Sequence, residues 1–412
     1  MTPSTRYAPE HARGRWSIRR PSWTKPVLVL IFILVFLASS VGMAYAHANM
    51  RVNASGMGLP GGEAAPSDFR VGQPVNMLII GQDTRDGEGN QRIGGIQDDE
   101  HQADTLMILH VSADRKTLDL VSIPRDSMMD RPACRTSKGM MAADGPVMMN
   151  SVFADGWSYG GDMGSAVSCT LATVNSVTGM DLHDFVAVDF AGMVRIVDAL
   201  GGVDLCVPSA VDDDTTGLHL KPGMTRMNGT EATQYARVRH GVEGADGGDV
   251  MRTVRQQWLV KAVLRNMLAG GVLEDTSKLY SVGMIALDSL RMSDDLADIH
   301  SLVGLAYSMR NLKSSGIHMQ TAPTAPYPYD ENRLVLADTE VWSAMMADRP
   351  LDEHVATGQD GQLDSSDSPS SDNGHEANTV DPDTGYVRDS SGAVIGIDES
   401  VVYARNCRTA AR

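Results

Sequence analysis

The chain has 412 residues, with 52 Asp and Glu against 35 Lys and Arg, for a formal net charge of −17. Binding a phosphate backbone needs a basic face, so an acidic surface of this kind argues against a nucleic-acid partner. With 42% apolar and 21% charged residues the chain can bury a sizeable core, so disorder throughout is excluded.

Residues 1–25 hold six cations (Arg6, Arg13, Arg15, Arg19, Arg20, Lys25) against Glu10, a net +5, so everything after them carries −22. From Val27 to Ala46 no charge occurs over 20 residues, and at about 1.5 Å per helical residue such a run spans a bilayer core of roughly 30 Å. The positive-inside bias predicts a cytoplasmic basic tail (1–25), a transmembrane signal-anchor (26–46) and an extracellular remainder, giving a single-pass protein of the cell membrane. Ala44-Tyr45-Ala46 also fits a small-x-small cleavage site, which makes a secretory signal peptide the rival reading.

Residues 47–72, punctuated by Gly and Pro, read as a flexible linker. A folded domain is expected over 73–320, with an extension at 321–351. The Asp-, Ser- and Gly-rich 352–412 reads as a mostly disordered acidic tail, although Val394, Ile395, Ile397, Val401 and Val402 could close it with a strand. Strands are predicted at 75–81, 105–111, 117–123, 185–189 and 203–207, and helices at 163–178, 190–200, 230–239, 250–269 and 295–311. Their alternation predicts an α/β fold, a three-layer α/β/α arrangement. The short connection Ser112–Lys116 makes 105–111 and 117–123 a hairpin, so the central sheet is expected to be mixed.

Charged residues recur where apolar segments end. Asp83 and Arg85 follow Leu78-Ile79-Ile80-Gly81, in the crevice where α/β sheets place ligands. Asp104 enters the next strand. Two carboxylates are too few for a calcium cage but suit Mg2+, which takes its other oxygens from water and phosphate; the alternative is a turn cap and a solvated acid. Pro124 ends the third strand and fixes a rigid turn from which Arg125 can present a bidentate fork to a phosphate; a structural pair with Asp126 is equally open. Arg237 and Arg239 end one helix. Asp249 opens another whose first turns carry Arg252, Arg255 and Gln256 on one face, where the helix N-terminus favours an anion. Asp126 and Asp249 are the candidates for a base.

Four cysteines (Cys134, Cys169, Cys206, Cys407) lie beyond the predicted anchor, in a compartment that permits disulfides. Cys134 with Cys169 is the preferred pair, leaving Cys206 with Cys407; two other connectivities satisfy the sequence. No G-x-S-x-G, H-E-x-x-H, Walker or C-x-x-C motif occurs.

In order, NMLIIGQDTRDG, ADTLMILHV, LDLVSIPRDS, NSVFADGWSYGG, FVAVDFAGMVRIVDALGGVDLCVP, LHLKPG, ARVRH and DVMRTVRQQ resemble the LytR-CpsA-Psr family over roughly residues 75 to 265. The resemblance implies a single-pass, exported, magnesium-dependent phosphotransferase of α/β/α fold. Such an enzyme moves a glycopolymer from a polyprenyl-pyrophosphate carrier onto a peptidoglycan acceptor. It implies metal-binding roles for Asp83 and Asp104 and pyrophosphate contacts from Arg85, Arg125, Arg237, Arg239, Arg252 and Gln256. Two departures stand out: Gln102-Ala103 replaces the family's Arg-Ser, and Met148 replaces a lysine ahead of Asn150, so one phosphate contact is absent or comes from Lys138. A polyprenyl-pyrophosphate hydrolase and a non-catalytic wall-polymer-binding protein are the alternatives.

Overall fold

A computed structural model describes residues 42–43, 46, 56–57, 72–84, 86, 88–94, 101–238, 241–242, 249–269, 276–294, 296–297, 305, 308–337, 340–351, 379–388, 394–397, 401–402 and 407. The chain divides into Met1–Ala48 and Asn49–Arg412. Of the first unit, Gly42, Met43 and Ala46 are described, all helical; the expected anchor otherwise lies outside the described residues, among which no helix is long and apolar enough to cross a membrane.

The second unit is organised by a seven-stranded mixed sheet. Its centre is β1 (Val75–Asp83), antiparallel to β2 (Gln102–Val111), which is antiparallel to β3 (Leu118–Ile123). β1 is also parallel to β4 (Asp184–Asp189). A two-stranded ribbon, β5 (Val203–Val207) with β6 (Gly223–Met227), stands apart from the sheet. β7 (Leu290–Ser293) extends the sheet beyond β4, and β8 (Ile317–Thr321) adds in parallel to β3. Gly56–Met57, inside the predicted linker, pairs in parallel with β7.

The near-continuous apolar sequence of β1 follows from burial on both faces. Alternate residues supply two cores: Leu78, Ile80, Leu106, Ile108, Val121 and Ile123 on one face, Val75, Met77, Met107, Leu118 and Leu120 on the other. Among the described residues, helices cover both faces. α1 (Glu88–Gly94) follows β1, and α2 (Met149–Gly160) and α3 (Met163–Thr178) cover the first face with Phe153, Val167, Leu171 and Val174. α3 begins where the sequence predicts, because the Asp162 carboxylate accepts from the Ser165 N–H (2.8 Å). α4 (Phe190–Ala199) and α5 (Gly229–Arg237) follow; α5 is opened by a reciprocal capping box between Asn228 and Glu231. α6 (Asp249–Ala269) and α7 (Thr276–Ser289) contribute Val260, Leu264, Met284 and Leu287 to the second face.

The boundary predicted at residue 320 does not divide the core. β9 (Thr324–Tyr327) and β10 (Asp330–Leu336) form a hairpin, and α8 (Glu340–Met346) buries Val341, Trp342 and Met345 in the same cluster as Leu78. The predicted helix at 295–311 falls largely outside the described residues; its end is a 3-10 turn, Met309–Asn311.

The expected disordered tail needs correction over 379–388, whereas the strand expected from Val394, Ile395 and Ile397 is present. β11 (Thr379–Val380), β12 (Tyr386–Arg388) and β13 (Val394–Ile397) form an antiparallel sheet, and Val402 and Cys407 are buried in a core with Leu205, Tyr235, Trp258 and Leu259. The apolar residues spaced along 394–407 find partners on a surface already formed, which composition does not reveal. Cys134 pairs with Cys169, and Cys206 with Cys407.

Candidate active site

The ends of β1, β3, β4 and β8 and the start of β2 all lie at one edge of the sheet, because β2 alone among these five runs opposite to β1 and the others. That edge gathers Asp83, Gln102, Asp104, Arg125 and Asp189. The β1–β2 register pairs Gly81 with Thr105 and Gln82 with Ala103, so Asp104 is the extra residue of a β-bulge. A bulge turns one side chain out of the ladder's alternation, a common device beside functional sites. Gly81 is required here, since a Cβ on it would lie 2.8 Å from the Thr105 Cβ.

Asp104 is shared between two guanidinium groups. Its Oδ1 accepts from Arg125 Nη1 at 2.7 Å and its Oδ2 from Arg252 Nη1 at 2.9 Å. Arg125 leaves the turn after Pro124 and is largely buried, as is Arg252, 3% exposed in the first turns of α6. Two residues distant by over a hundred positions thus meet on one carboxylate. Asp126 lies 3.7 Å from Arg125 Nε and 3.7 Å from Arg333 Nη1 on β10, so it orients two cations.

Arg237, at the end of α5, stacks its guanidinium over the Phe190 ring at 4.7 Å and donates to the Ile93 carbonyl. The start of α4 is pinned beside it: the Asn90 side chain donates to Asp189 Oδ2 (2.9 Å) and accepts from the Ala191 N–H (2.8 Å). Gln256 Nε2 donates to the Ala236 carbonyl at 3.4 Å and Gln257 Nε2 to Thr321 Oγ1 at 3.0 Å, fixing α6 against α5 and β8.

Arg255 is placed differently from the sequence expectation. Its residue is 1% exposed and its Nη2 donates to the Val238 carbonyl, behind the crevice rather than in it. Arg252, one turn earlier on the same side of α6, reaches Asp104 instead. Asn150 starts α2 beside the crevice: its N–H donates to the Arg125 carbonyl (3.0 Å), its Nδ2 to Gln102 Oε1 (3.4 Å), and its Oδ1 is buried with no hydrogen-bond partner among the described residues. Lys138 cannot replace the missing cation at position 148. Its Nζ lies against Gly161, at the far end of α2 from Asn150, about 16 Å along the helix. Arg85, Arg239 and the side chain of Asp249 lie outside the described residues.

For Mg2+, the observation that bears on fit is the donor set. Asp83 stands opposite Gln102 in the β1–β2 ladder, two positions from the bulged Asp104, so two hard oxygen donors end adjacent strands. No group of three or more His, Cys, Asp or Glu side chains that could hold a metal occurs among the described residues. Such a sparse set fits an ion completed by water and phosphate oxygens.

The description of the LytR_cpsA_psr family matches residues 43–346. The chain belongs to this family. It is 24% identical over 316 residues to the cell wall biosynthesis protein LcpA of Corynebacterium glutamicum, a match covering 73% of this chain and 59% of that protein. It is 28% identical over 193 residues to TagU of Bacillus mycoides, a polyisoprenyl-teichoic acid–peptidoglycan teichoic acid transferase, covering 47% of this chain and 52% of the relative. The chain spans less than two thirds of the length of either relative. A Streptococcus agalactiae protein of known crystal structure, 17% identical, superposes with a TM-score of 0.51 over 67% of this chain and 88% of its own, which shows the shared fold.

Proposed function

We propose that this family member is a membrane-anchored, extracytoplasmic phosphotransferase that moves a glycopolymer from a polyprenyl-pyrophosphate carrier to peptidoglycan. The observation that carries the reading is Asp104 held between Arg125 and Arg252 at the carboxyl edge of the sheet. Two guanidiniums converging on one carboxylate in a largely buried crevice present planar N–H donors side by side, and a diphosphate is a ligand class that accepts from such donors bidentately. The run from Val27 to Ala46 after a basic flank supports the anchor and the exported orientation. The similarity to TagU, named as a polyisoprenyl-teichoic acid–peptidoglycan teichoic acid transferase, supports the acceptor.

In this reading an acceptor sugar hydroxyl attacks the phosphorus nearest the polymer. A new oxygen–phosphorus bond forms, the bond to polyprenyl phosphate breaks, and the hydroxyl proton is released. Arg125 and Arg252 neutralise the phosphate oxygens as charge moves onto the leaving group, so positioning and electrostatics supply most of the acceleration. Arg237, clamped by Phe190 and the Ile93 carbonyl, borders the same crevice. Asp126 is tied to two arginines and orients them. Asp83 and Asp104 are the residues that would hold Mg2+, which when bound adds positive charge beside the phosphates.

The full chain in detergent, given a polyprenyl-pyrophosphate oligosaccharide, peptidoglycan and Mg2+, is expected to form a phosphodiester-linked product. Release of free oligosaccharide phosphate without linkage would instead identify a hydrolase, and retained carrier with no turnover a binding protein.

A further inference from the structure

Arg255 is a cation that the proposed chemistry leaves unused. It is 1% exposed, its Nη2 donates to the Val238 carbonyl, and its Nε and Nη1 are buried with no hydrogen-bond partner among the described residues. An isolated buried charge is costly, so what surrounds it matters. Burial lowers its pKa, while Tyr235 and then Tyr386 act in the opposite direction. Burial raises the pKa of both tyrosines in turn, so they stand beside the guanidinium as neutral, protonated phenols.

Tyr235 belongs to α5, within the family-matched region. Tyr386 does not: it opens β12, 40 positions beyond the end of the match at residue 346. Yet it is 2% exposed, as buried as a core residue, and its hydroxyl is 2.8 Å from that of Ser209. Its ring packs with Met251 and Ile397 in a small apolar cluster of its own. Met251, fully buried, immediately precedes Arg252 on α6. The ring therefore packs on α6 at the position immediately before the arginine that holds Asp104. Val402 and Cys407 continue the same segment onto Trp258 and Leu259, a turn further along α6.

A helix start has unpaired N–H groups and frays unless something packs on it. Here the packing on the site-bearing turn comes from the end of the chain. We propose that Tyr386 is a positioning residue for the reaction: it holds the first turns of α6 so that Arg252 stands on Asp104 and meets the pyrophosphate. This rests on the diphosphate reading of the crevice given above, and it predicts that the C-terminal sheet sets carrier affinity without touching the carrier.

The test uses the full chain with geranylgeranyl pyrophosphate as the probe. Tyr386→Ala is expected to raise amide exchange over residues 251–256 in the ligand-free protein, weaken probe binding at least tenfold and lower transfer kcat/KM by a similar factor. Tyr386→Phe, which keeps the ring on Met251, should stay within threefold of wild type in both. Val402→Ala, buried in the same segment but against other residues, should lower Tm comparably and leave probe affinity within twofold. Should Tyr386→Ala not accumulate, Tyr386→Leu carries the comparison, with a loss of more than threefold expected.

Unchanged exchange over 251–256 in the alanine variant overturns the proposal whatever the ligand does. Raised exchange with unchanged affinity, or a Val402→Ala loss as large as that of Tyr386→Ala, overturns it as well. A wild-type chain that does not bind the probe at all overturns the diphosphate reading and this proposal together, while normal wild-type binding with an unaffected Tyr386→Ala overturns this proposal alone.

Discussion

The two ends of the same sheet carry buried charge and treat it in opposite ways. At the end away from the crevice, Asn76, His110, Asp119 and His318 stand side by side on β1, β2, β3 and β8. His110 bridges Asn76 (2.7 Å) and Asp348 (3.1 Å), and His318 meets Asp119 at 2.7 Å. Arg115 there donates to the carbonyls of Gln73 and Ser112, at 2.8 and 2.7 Å. Asp348 and Asp119 each meet an imidazole from another element, and Asp114 in the turn meets Lys116 at 2.9 Å. At the crevice end one carboxylate serves two guanidiniums, and the arginine behind them has a backbone carbonyl. The contrast is one of composition: imidazole–acid pairs tie strands together at the far end, whereas arginines from distant elements converge on a carboxylate at the end suited to a phosphate ligand.

Substitutions separate the two ends. The largest effect is expected from Arg252→Ala or Arg125→Ala, each lowering transfer kcat/KM by about 10²–10³ in steady-state assays, as for removal of a charge-stabilising donor, with thermal unfolding little changed. Wild-type turnover after Arg125→Ala would break the assignment of the crevice. Next in size, Asp119→Ala at the far end should cost about 2 kcal/mol of stability in denaturant titration, with kcat/KM of the folded protein unaltered. A selective loss of activity there would erase the distinction between the ends.

Metal dependence sharpens the contrast further. Chelation with EDTA is expected to suppress transfer reversibly without shifting the unfolding midpoint, because Asp83 and Asp104 sit at the edge of the sheet and not in its core; a large fall in Tm would indicate a structural ion instead. The smallest effect belongs to neither end. Asp162 caps α3, and although burial opposes it, bonds from Ser137 and Ser165 hold its pKa below the usual 3.8. Its depressed pKa contributes stability above pH 3.8 that is lost as pH falls through the folded-state value. Asp162→Ala should therefore cost about 1 kcal/mol at pH 7, with the difference from wild type closing in denaturant titrations as pH falls through the folded-state value.

Much of this arrangement was legible in the sequence for identifiable reasons. The apolar runs at 75–81 and 117–123 are strands as predicted, and the helix expected at 163–178 keeps those bounds. Arg125 and Arg252 were visible as arginines at the ends of apolar elements. What stayed hidden depends on distant partners. The three- to five-residue strands between Met128 and Met148 are too short for periodicity to register. α2 contains Gly156 and Gly160, poor helix formers retained because a Cβ at Gly156 would lie 2.9 Å from the Ala166 backbone of α3. The bulge at Asp104 is a property of register, Arg255 shares a nominal face with Arg252 yet turns inward, and Arg333 reaches Asp126 from a segment beyond the expected domain end. The C-terminal sheet is spelled in the same polar alphabet as the stretch before it, and only the surface it covers distinguishes Tyr386 from a tail residue.

The most direct test of the central claim is equilibrium binding of geranylgeranyl pyrophosphate to the full chain, compared between Arg252→Ala and Asp119→Asn. A loss of at least a hundredfold for the first, with the second within twofold of wild type, is the predicted result. Equal affinity for wild type and Arg252→Ala would contradict it.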